Sequence, residues 1–142
     1  MRWFTNYHGR RLEWMLALYT ILLGGVLLAP FTVMAPDRFA SALLAMSERS
    51  WGAVYAVIGG GHALALHING RAWWTPFIRA GALFCSSQAF LALALSLAHR
   101  NPTDLGVFSY GFTAIGFCGA ALASAAIDCG HEYRIWRQKD DI

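Results

Sequence analysis

Charge is what this 142-residue chain has least of: Asp, Glu, Lys and Arg make up 13% of it. Soluble domains carry about 25%, and a chain this short has a large surface to cover with polar groups. With 57% of the residues hydrophobic, the shortfall excludes an ordinary soluble domain and a disordered chain. It points to lipid as the solvent. Cysteine is scarce too: Cys85, Cys118 and Cys129 show no two-residue spacing and lie mostly in apolar runs. That odd count reads as small buried hydrophobes and not as a disulfide or zinc framework. A net charge of +3 would suit nucleic acid, but the basic residues sit in twos and threes at the edges of apolar runs. A basic groove with interleaved aromatics is missing, so nucleic acid is set aside as a partner.

What fills the chain is four apolar runs, at about 14–34, 51–68, 77–98 and 105–127. At ~1.5 Å per residue, such lengths match a ~30 Å hydrocarbon core. Backbone polar groups need internal partners in lipid, so the runs are expected to be helices. Period-2 alternation, the mark of a barrel, is absent. Short links at Asn69–Pro76 and His99–Asp104 imply antiparallel neighbours. The expected fold is therefore all-α, a single membrane domain built as an up-down bundle of four transmembrane helices. In the longest link, Phe39, Leu43 and Met46 recur at helical spacing, which predicts a short helix lying in the membrane interface. A cleavable leader ending at Ala42 is the competing reading of the N-terminal third. The first apolar run stops near Ala29, well short of that point, so it is expected to stay as a span.

Orientation follows from Lys and Arg. With four spans, one side holds Arg2, Arg10, Arg11, Arg71, Arg79, Arg134, Arg137 and Lys139, and the other holds Arg38, Arg49 and Arg100. This eight-to-three sorting predicts an inner-membrane protein with both termini in the cytoplasm. Trp14, Trp51, Trp73 and Trp74 lie at span ends and are expected, with Arg71 and a snorkelling Arg79, to anchor the interface.

Polar and small residues within the runs are the candidate site residues, since polarity at membrane depth is costly. His62 follows Gly59-Gly60-Gly61 in the second run. Glycines beside an imidazole would clear room for a haem, which makes His62 a weak cofactor candidate. His67 is five residues on, ~140° round the helix, so the two cannot share an iron. The favoured reading is a packing face with His62 hydrogen-bonded across to a neighbour, Gln88 being one possible partner. No metal, catalytic residue or resident cofactor is expected. Ser86, Ser87 and Gln88 form a polar strip in the third run, read as packing between helices or as the lining of a pore between copies. Gly116, Gly119, Ala120 and Ser124 give the fourth run a tight seam, either within the bundle or between copies. Glu13 and Arg79 could pair at the cytoplasmic edge, as could Asp128 with a nearby arginine.

Arg10-Arg11-Leu12-Glu13-Trp14, and the turn running from Ile68-Asn69-Gly70-Arg71 through Trp73-Trp74-Thr75-Pro76 to Arg79, resemble small four-span membrane proteins of tailed bacteriophages and prophages. The resemblance covers about the first two-thirds of the chain. It implies a phage origin and a host inner-membrane location, and it implies no catalytic residues. The expected function is non-enzymatic: self-association or holin-like permeabilisation of the host membrane. The alternative is an accessory subunit of a larger membrane or virion complex, and a haem- or quinone-binding redox subunit ranks below both. The expected partners are the bilayer and further copies of the chain or such a complex.

Overall fold

A computed structural model describes residues 10–68 and 74–140, apart from the side chains of 132, 135, 136 and 138–140. Arg71, Trp73 and the Asn69-Gly70 turn lie outside the described residues. The described chain is all-α. Helix α1 spans Arg11–Leu28, α2 Ala40–Ala45, α3 Glu48–His67, α4 Thr75–Arg100, α5 Leu105–Phe112 and α6 Cys118–Asp140, with a π-helical turn at Thr113–Phe117 joining the last two. Three stretches, Arg11–Leu28, Thr75–Arg100 and Leu105–His131, are long and apolar enough to cross a membrane. Helix α3 matches them in length, but Glu48, Arg49, His62 and His67 lower its apolar content.

Local chemistry sets the helix ends. Ala29 is extended, with ψ of 157°, because the residue before a proline is pushed out of the helical region. Helix α1 therefore stops at Leu28, short of the predicted Met34. Pro76 occupies the first turn of α4, where its missing N–H is no loss. Ser47 caps α3 by accepting from the Ser50 N–H at 3.2 Å, and Asp104 caps α5 by accepting from Gly106 at 2.8 Å. Beyond the fourth apolar run, which ends near Ile127, the helix continues through polar residues to Asp140.

Helix α1 lies along α3 with their backbones nearly touching. A methyl group added at Gly24 would sit 2.6 Å from the Ala56 nitrogen, and one at Gly59 would sit 2.8 Å from the Ile21 nitrogen. The numbering rises on one helix as it falls on the other, so the two are antiparallel. Tyr55 of α3 packs on Phe90 of α4 with ring centroids 5.3 Å apart. Ser87 of α4 donates to the Ala114 carbonyl in the π turn at 2.9 Å. Leu16, Tyr55, Leu83, Phe90, Leu93 and Cys118 lie at the centre of the core.

The short helix of the first loop does form, but it is tucked onto the protein. The Ala42 N–H donates to Ser96 Oγ at 3.0 Å, and the Ala42 carbonyl accepts from the Trp51 indole at 2.9 Å. Trp51 is thus a buried clamp and not an exposed interface anchor, because its one polar atom finds a partner inside the fold.

Candidate functional site

The most polar part of the interior lies where the N-terminal turns of α1 and α4 meet the middle of α6. Glu13, in the first turn of α1, is 2% exposed, and Arg79, five residues into α4, is 0% exposed. Arg79 Nε donates to Glu13 Oε2 at 2.8 Å and its Nη2 donates to Oε1 at 2.5 Å. This is the two-pronged geometry a guanidinium forms with a carboxylate. Arg79 Nη1 reaches Asp128 Oδ2 of α6 at 3.0 Å, and Arg10 Nη2 reaches the same oxygen at 3.2 Å. From α3, His62 Nε2 approaches Glu13 Oε2 at 3.5 Å. Four helices thus contribute to one network, with two cations set against two carboxylates beside an imidazole. Burial pulls the Arg10 guanidinium below its ordinary value.

The anticipated pairing of Glu13 with Arg79 is present, but Arg79 does not snorkel. Its guanidinium is folded inward because two carboxylates on neighbouring helices offer better partners than the headgroup region does. His62 is hydrogen-bonded across to α1 as expected of a packing residue, though its partner is Glu13 and not Gln88. The adjacent glycines divide. Gly59 is buried against α1, whereas Gly60 and Gly61 face outward with open space where a Cβ would be. The run of three glycines therefore does not clear a slot beside the imidazole.

The polar strip of α4 divides as well. Ser86 is buried, Ser87 is half-buried on the Ala114 carbonyl, and Gln88 is exposed on the outer face. Among the described side chains, Thr113 and Ala114 of the π turn and Cys118, Ala121 and Ala125 of α6 are buried. The anticipated seam is turned away: Gly116 is half-buried beside the Phe112 ring, Gly119 has open space, and Ala120 and Ser124 are exposed. Trp14, next to Glu13 in sequence, is half-buried, and Trp74, just ahead of α4, is exposed.

At the far end, Arg38 of the first loop donates to Asp104 at 2.6 Å. The Gly106 N–H and this guanidinium hold the Asp104 carboxyl below the usual carboxylate range. A 250 Å³ pocket opens at the same end, between Leu27–Thr32 and Ser47–Arg49. One further polar atom is notable: the Tyr55 hydroxyl is buried with no hydrogen-bond partner among the described residues. Among the described residues no group of three or more His, Cys, Asp or Glu could hold a metal ion. Comparison of the chain with protein-family models, curated proteins and solved structures finds no match.

Proposed function

We propose that this is a four-span protein of a bacterial inner membrane, with both termini cytoplasmic, that acts by associating with copies of itself and so permeabilises the bilayer. One observation carries the membrane reading: charge is inside and bulk hydrophobicity is outside. Arg79, Glu13 and His62 are buried, while Met15, Leu22, Val57, Leu64, Leu95, Phe108, Ile115 and Ile127 are each more than half exposed. In water that arrangement would leave apolar surface exposed on every long helix, whereas lipid tails cover it without cost. Val57 and Leu64 belong to α3, which supports counting that helix as the fourth span. The contacts between successive long helices suit an up-down bundle.

Association is supported by what faces outward at membrane depth. Gln88, Ala120 and Ser124 are exposed and Gly119 has open space where a Cβ would be, and polar and small residues are what hold helices together in lipid. The sequence resemblance to phage proteins favours a host membrane as the setting. Induced expression together with an endolysin tests this reading. Growth should stop abruptly and the endolysin should reach the cell wall. Continued growth with the protein abundant in the membrane would overturn permeabilisation.

A further inference from the structure

Gly81, Cys85, Gln88 and Ala92 follow one another at intervals of four, three and four residues along α4. That spacing keeps them in a single stripe on one face of a helix. Gly81, Cys85 and Gln88 are exposed and Ala92 is half-buried, while Leu83, Ser86 and Phe90 turn to the core. A methyl group added at Gly81 would meet nothing within 4 Å. Gln88 stands 13 residues from Thr75 and 12 from Arg100, roughly 20 Å from either end of the helix and so near the bilayer centre. Its amide makes no hydrogen bond to a described residue. A primary amide facing hydrocarbon without a partner is costly, so something must meet it there.

We infer that two copies of this chain pair through this face of α4, with their Gln88 amides hydrogen-bonded to each other across a two-fold axis. The inference rests on the self-association proposed above and names its surface. Glutamine is self-complementary, since its amide both donates and accepts, and the same patch from a second copy satisfies both groups. The small side chains of Gly81, Cys85 and Ala92 let the two backbones approach closely enough for the amides to meet. The competing small-residue strip on α6 has Ser124 as its polar group. A serine hydroxyl can turn back to the carbonyl four residues earlier on its own helix, so that strip does not require a second copy.

Cys85 lies one turn from Gln88 and is exposed, which supplies the test. In a Cys118→Ala, Cys129→Ala variant, copper-phenanthroline oxidation of native membranes should give a reducible dimer through Cys85. Energy transfer between labelled copies in vesicles should report the same dimer. Gln88→Leu should cut the dimer fraction about five-fold, and Gln88→Asn should keep most of it. Dimers that ignore Gln88→Leu, or that cross-link through Ser124→Cys and not through Cys85, overturn this surface and leave self-association standing. A monomer by energy transfer in every variant overturns both.

Discussion

An arginine with no exposed surface, as Arg79 is, has to be neutralised by the protein that encloses it. Glu13 does this with both carboxylate oxygens, and Asp128 takes the remaining arm and passes its charge on to Arg10. The balance of two cations and two carboxylates decides what each substitution should do. Arg79→Ala takes away the two-pronged partner of the buried Glu13 carboxyl, and losing one member of a buried pair costs about 3–5 kcal/mol. Replacing both Glu13 and Arg79 with leucine leaves Arg10 and Asp128 still paired at 3.2 Å, so the remaining charges stay matched. The double variant should therefore be more stable than Arg79→Ala alone. Reversible unfolding in mixed micelles measures both, and a double variant no more stable than the single one would show that the network does not act as a balanced unit.

At the scale of elements, the tightest packing is between α1 and α3. Backbone atoms, which cannot rotate aside, line the space where Gly24 and Gly59 lack a Cβ, whereas Gly60 opens onto nothing. Gly24→Ala and Gly59→Ala should each destabilise the protein by about 1–3 kcal/mol through overpacking. Gly60→Ala should be neutral or stabilising by up to about 1 kcal/mol, since alanine suits a helix better than glycine. The same unfolding assay separates them, and equal effects at all three sites would mean that α1 and α3 do not pack at this distance. The contrast also marks how far the sequence could be read. The helices were legible because an uncharged run long enough to cross lipid can satisfy its backbone in few other ways. The partnership of Glu13 with Arg79 was legible from sign and depth. Which glycine of the Gly59-Gly60-Gly61 run faces α1 was not, because adjacent residues point ~100° apart and nothing local sets the rotation. Which face of the last span turns inward was not legible for a related reason. Extending a 3.6-residue period from Gly106 and Tyr110 brings Phe117, Ala120 and Ser124 near the core. The π turn at Thr113–Phe117 adds a residue and brings Cys118, Ala121 and Ala125 there instead. Such turns carry no sequence mark, since what stabilises them is the packing they make possible.

For the whole molecule, whether α3 crosses the bilayer decides if the two ends of the described chain share a side. If α1, α3, α4 and the α5–α6 rod all cross, the N-terminus and the end of α6 share a side. If α3 lies outside the hydrocarbon, three crossings place them on opposite sides. The Glu13–Arg79–Asp128 network ties the start of α1, the start of α4 and a point well along α6 to one level. The Arg38–Asp104 pair ties the loop after α1 to the loop before α5 at the other end. Those two levels fit four crossings: Arg10 and Asp128 on one side, Arg38 and Asp104 on the other. On the four-span topology proposed above, the basic residues from Arg134 to Lys139 would lie on the cytoplasmic side, where positive charge is retained. Single cysteines at Arg11, Asn101 and Gln138, each in a variant with Cys85, Cys118 and Cys129 replaced, separate the two arrangements. A membrane-impermeant maleimide should label Asn101→Cys in intact cells, and Arg11→Cys and Gln138→Cys only after lysis. Labelling that puts Arg11→Cys and Gln138→Cys on opposite sides would leave α3 outside the bilayer and reduce the protein to three spans.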